Sequence, residues 1–189
     1  MKRFGKILFI LGIAGLVFLV SARILLFLFA PLSEKDRRIN CAKKLKTMGT
    51  AFTQYAADNG GNFPNMDGVT GFEQLRESGF RQGTKAYMCP SSKTVIKCKK
   101  GIPLSDENLS YIYWGGFSDK DNPDIPLVME KLGNHQYFVN ILFLNGRVAG
   151  FWSKFKTYSE VMKMLCKEYK YSPEDLKRLQ EKAAKLDEK

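Results

Sequence analysis

One histidine, two tryptophans and four cysteines are all that 189 residues contain of these types. A single imidazole, with no recognisable catalytic motif around it, leaves little for acid–base or nucleophilic chemistry, so the chain is not expected to be an enzyme. Acidic residues are also short, 19 against 30 basic ones for a net +11. The excess is spread along the chain, and no segment gathers it into a block of nucleic-acid-binding size, so no nucleic-acid partner is expected. No internal repeat is present, and at about 150 residues per domain the length allows one folded domain with an anchor or tail.

Apolar residues are abundant but unevenly placed. Lys2, Arg3 and Lys6 precede an apolar run over 7–22, interrupted only by Ser21; after Arg23 a second run covers 24–32. Together these make about 26 positions, roughly 39 Å as a helix against a hydrocarbon core of about 30 Å. Residues 1–32 are therefore expected to be a transmembrane signal-anchor, with Arg23 snorkelling towards the far interface. The competing reading is a signal peptide cleaved after Val20-Ser21-Ala22. Both leave the basic N-terminus in the cytoplasm. The anchor reading places the protein in the inner (cytoplasmic) membrane as a single-pass chain with an extracytoplasmic head.

That head is expected to be α+β. Ser33 and Asp36 open a helix whose apolar positions Ile39, Ala42, Leu45, Met48, Phe52 and Tyr55 recur at steps of three and four, ending near Asn59-Gly60-Gly61. A short helix over Phe72–Ser78 follows. Strands are expected at Ser110–Trp114, Leu127–Glu130, Tyr137–Leu144 and Arg147–Trp152, the last two joined by a type I′ turn at Asn145-Gly146. Two more helices come next: Thr157–Tyr169, then one capped by Ser172 with Pro173 in its first turn and Asp175 closing the box. The expected architecture is a long N-terminal membrane and amphipathic helix packed on a small antiparallel sheet, with C-terminal helices. The divisions are 1–32 anchor, 33–152 head and 153–189 helical extension.

An ordered set of segments, Arg38-Ile39-Asn40-Cys41-Ala42-Lys43-Lys44-Leu45-Lys46, Tyr55, Asn62-Phe63-Pro64, Met88-Cys89-Pro90-Ser91, Ser110-Tyr111-Ile112-Tyr113, and His135 followed by Asn145-Gly146, resembles the type IV pilin-like family. It is closest to the pseudopilin-type branch that carries a processing-associated H-x9-D-G motif. The resemblance covers about residues 1–152 and implies a structural or interaction protein of a bacterial type II secretion or pilus system. The implied partners are the membrane, other pilin-like subunits and a secretion assembly platform. Two departures stand out: the apolar segment has no glutamate of the kind that guides subunit docking, and Asn145 replaces the motif's aspartate.

In an exported head Cys41, Cys89, Cys98 and Cys166 are candidates for disulfides, and their spacing fits no zinc motif. The resemblance puts Cys41 and Cys89 in two of its matched segments and so implies a helix-to-strand bridge; Cys89 with Cys98 is the rival pairing. Either bridge is worth about 2–4 kcal/mol. His135 is read as structural, at the entry to the hairpin. Asp119, Asp121 and Asp124 alternate in an acidic loop that could hold calcium, although Lys120 and Pro123 break the EF-hand pattern. The alternative function is thus a membrane-tethered extracytoplasmic ligand-binding module, calcium-dependent and not assembled into a filament. No small-molecule substrate is identified. The aromatics Tyr111, Tyr113, Trp114, Phe138, Phe143, Phe151 and Trp152 are assigned to sheet packing rather than to base stacking.

Overall fold

A computed structural model describes residues 12–13, 15–25, 33–79, 84–92 and 103–188. The chain divides into two units, Met1–Ser33 and Glu34–Lys189. In the first, residues 15–25 are helical, and Leu16, Val17, Phe18, Leu19, Val20, Ile24 and Leu25 are all exposed. Among the described residues no helix is long and apolar enough to cross a membrane. The expected span over 7–32 lies in part outside them.

The second unit is a mixed helix-and-sheet fold. Helix α1 (Glu34–Asp58) starts one residue after Ser33, as expected, and buries Cys41, Leu45, Met48, Gly49, Ala51, Phe52 and Ala56 on one face. It stops where Gly60 and Gly61 take positive φ (64° and 87°), a conformation open to glycine, and the Gly61 N–H returns to the Ala56 carbonyl at 2.7 Å. Helix α2 (Gly68–Glu77) begins four residues before the sequence suggests. Asp67 precedes it without capping it; its carboxylate instead accepts from the Gly115 N–H at 2.8 Å and from Lys182 at 2.6 Å. A 3₁₀ turn, Thr84–Tyr87, leads to Cys89.

Four strands, β1 (Tyr111–Tyr113), β2 (Pro126–Glu130), β3 (Phe138–Phe143) and β4 (Val148–Trp152), form an antiparallel sheet in the order β1-β2-β3-β4. Each lies within a residue or so of its expected range. Pro126 opens its strand, where its missing N–H breaks no ladder, and a register irregularity follows it. The whole of β2 is buried, whereas β4 is half-exposed at the edge. Helix α1 packs on β3 and β4, and α2 packs beside β1.

The β3–β4 turn departs from expectation. A type I′ turn needs positive φ at both central residues, but Gly146 (φ 74°) has it and Asn145 does not. Instead the Gly146 N–H bonds to Phe143 O and the Phe143 N–H to Arg147 O, both at 2.9 Å. This closes a three-residue loop of the type I plus G1-bulge kind. The cause is tertiary: Leu144 and Asn145 donate their N–H groups to Ile125 O and Pro123 O in the lead-in to β2.

Helix α3 (Tyr158–Glu168) is capped by the Thr157 hydroxyl accepting from the Glu160 N–H. Helix α4 (Pro173–Asp187) is capped by Ser172 accepting from the Asp175 N–H, with Pro173 in its first turn. Their buried residues Val161, Met162, Leu165, Leu179 and Ala183 join the same hydrophobic core as α1 and the sheet. Residues 153–188 are thus built into the head.

Close packing of α2 on β1 sets a sharp expectation. A Cβ at Gly71 would run into the Met66 carbonyl oxygen and the Tyr113 ring, and the first of these belongs to backbone that cannot rotate away. Gly71→Ala is expected to destabilise the protein by about 1–3 kcal/mol despite the gain in helix propensity, read as a lowered urea midpoint.

Candidate functional site

Cys41 comes from the buried face of α1, Cys89 from the segment after the 3₁₀ turn, Glu130 from the last position of β2, and His135 from the loop before β3. All four are buried, and one ligand-type atom from each lies within 4.8 Å of the others. Among the described residues this is the group of side chains able to hold a metal ion.

The geometry is specific. The sulfurs of Cys41 and Cys89 are in contact at 3.2 Å, both free thiols. His135 Nε2 lies 3.4 Å from Cys89 Sγ and 3.2 Å from Glu130 Oε1, while its Nδ1 meets Glu34 Oε1 at 2.5 Å. Glu130 is held in turn by Asn140, whose backbone N–H donates to Oε2 at 2.6 Å and whose side-chain amide donates to Oε1 at 3.1 Å. The Ser91 N–H points at Cys89 Sγ at 3.3 Å. Beside Cys41 the Tyr111 hydroxyl is buried without a well-formed hydrogen bond.

These contacts separate the two thiols electrostatically. Cys89 is lowered to about 5: the Cys41 thiol donating to it is the main cause, with His135 and the Ser91 N–H adding to it against the cost of burial. Cys41, as that donor and in a buried position, is pushed far up. Burial opposes charge on His135, but its hydrogen bonds to Cys89, Glu130 and Glu34 outweigh that and raise it to about 10. These contacts favour charge on Cys89 and His135 and disfavour it on Cys41. Glu34 and His135 also line an open cleft with Ser91, Tyr137 and Lys154. Across that opening Tyr137 takes the left-handed backbone conformation (φ 58°).

Of the residues singled out from sequence, Cys41, Cys89 and His135 are brought together. Cys98 lies outside the described residues, and Cys166 is an exposed free thiol on α3. Asn145 and Gly146 sit in the β3–β4 loop, where Lys46 reaches the Gly146 carbonyl at 2.7 Å. Asp119, Asp121 and Asp124 are not assembled into a cation site. The Asp119 carboxylate lies over Gly61, Asp121 accepts from the Ser118 N–H and hydroxyl, and Asp124 pairs with Arg147 at 3.0 Å. Tyr111, Tyr113, Trp114 and Phe143 are buried and present no faces to a ligand, whereas Trp152 is exposed beneath Arg38. Glu34 and Glu130 were missed. A glutamate closing the apolar run Pro126–Met129, five residues before the lone histidine, was the available signal for Glu130.

The chain matches no family model, no curated protein and no solved structure.

Proposed function

We propose that this chain is a membrane-anchored, pilin-like (pseudopilin-type) structural or interaction protein of a bacterial secretion or pilus system, with its head outside the cytoplasmic membrane. The observation that carries this reading is the helical stretch 15–25, whose apolar side chains from Leu16 to Leu25 stand exposed next in sequence to a unit with a well-buried core. So much contiguous apolar surface needs covering by lipid or by like helices. The head adds support: a 25-residue helix laid on a four-stranded antiparallel meander offers an extended surface for side-by-side contacts. The calcium-dependent alternative draws no support from Asp119, Asp121 and Asp124, which turn to separate partners.

The test is the full chain in bacterial membranes with a photo-crosslinking residue in place of Phe18. The protein is expected to resist alkaline extraction and to crosslink into a ladder of subunits or to one defined membrane partner. Release by the alkaline wash, or crosslinks to lipid alone, overturns the assembly reading.

A further inference from the structure

We propose that Cys41, Cys89, Glu130 and His135 form a tetrahedral site for a zinc-type divalent ion that clamps α1 to the sheet. This inference is independent of the pilin-like reading. Four donor atoms from three stretches of the chain, Cys41, Cys89, and Glu130 with His135, converge within 4.8 Å, each on a buried side chain. Two sulfurs, an imidazole and a carboxylate form a set that suits zinc and does not suit calcium or magnesium, which take oxygen ligands. Four protein ligands leave no open position, the pattern of a structural rather than a catalytic centre.

The surroundings are arranged as a metal's outer shell. Glu34 accepts from His135 Nδ1–H and so turns the Nε2 lone pair inward, the carboxylate–histidine pairing that orients imidazole ligands. Asn140 fixes both oxygens of Glu130. The Ser91 N–H donates to the Cys89 sulfur, as a ligating thiolate requires. Tyr111 adds a detail: its buried hydroxyl, beside Cys41, has no hydrogen-bond partner, and a metal-bound sulfur there would accept from it. Binding takes both sulfurs as thiolates and Nε2 of His135 unprotonated, so whatever protons these atoms carry pass to solvent. A disulfide would use the same two sulfurs and leave His135 and Glu130 paired with each other, Glu34 and Asn140.

The experiment uses the full chain in detergent, reduced and stripped with chelator, then titrated with zinc alone and separately with cobalt(II). The expected result is one equivalent of zinc per chain, protection of two thiols from alkylation, and cobalt spectra with thiolate charge-transfer and tetrahedral d–d bands. Glu34→Gln is expected to weaken zinc binding by about 10- to 100-fold at unchanged stoichiometry. Because the spectra come from the unaltered protein, they do not depend on whether a Cys41→Ser variant folds. Absence of the cobalt bands, or recovery of the native protein with a Cys41–Cys89 disulfide on peptide mapping, overturns the proposal.

Discussion

Replacing Phe52 by alanine is expected to cost about 3–5 kcal/mol, a large share of the roughly 5–15 kcal/mol that holds a typical domain folded. The side chain is fully buried where three elements meet. It stacks on Tyr113 of β1 with ring centroids 4.7 Å apart and only 5° between planes, and leans on Phe72 of α2 at 5.9 Å. Phe72 in turn meets Tyr87 edge-on at 5.4 Å. Truncation removes the transfer energy of the ring and leaves a cavity that its neighbours are poorly placed to fill, since the Tyr113 hydroxyl is tied to the Pro64 carbonyl at 2.6 Å. Chemical denaturation should show a lowered midpoint with an unchanged slope. Phe52→Leu, which keeps apolar volume at the site, should lose less than half as much. Equal losses for the two variants would mean that ring stacking, not volume, holds this junction.

Glu130→Ala is expected to be comparably damaging, about 3–5 kcal/mol, for a different reason. Only 1% of Glu130 is exposed, and its carboxylate serves the Asn140 N–H, the Asn140 amide and His135 Nε2 together. Alanine leaves the buried Asn140 N–H without its acceptor and takes one partner each from the Asn140 amide and the His135 imidazole, and unmade buried contacts cost more than made ones contribute. Glu130→Gln keeps the shape and one acceptor oxygen, so it should fall well short of that loss. Measuring both variants in reductant and chelator isolates the effect of the protein's own contacts from that of any bound ion. A loss under 1 kcal/mol for Glu130→Ala would show that the site relaxes to readmit water.

Cys41 on α1 meets Glu130 on β2 and the loops carrying Cys89 and His135 near the N-terminal end of the helix. The apolar packing of Leu45, Met48 and Phe52 secures the remainder of the helix.

The sequence by itself determined the elements, because their signals are local. Apolar residues at steps of three and four from Leu45 onward marked the buried face of α1, although Ile39 on the same pattern is exposed, Gly60 and Gly61 marked its end, Ser172 and Pro173 marked the start of α4, and alternating aromatic and β-branched runs placed four strands almost to the residue. Tertiary structure alone decided what depends on groups distant in the chain. Helix α2 starts four residues before its apolar run suggests, and the Asp67 carboxylate ahead of it is engaged by Gly115 and Lys182 instead of capping it. The β3–β4 loop gained a residue because the segment before β2 captures the N–H groups of Leu144 and Asn145. The buried centre has no spacing signature, since Cys41, Cys89 and Glu130 are separated by more than forty residues at each step and meet only when α1 lies across the sheet. A sequence motif records ligands that share one short segment; here only Glu130 and His135 do, five residues apart, while Cys41 and Cys89 come from elsewhere in the chain.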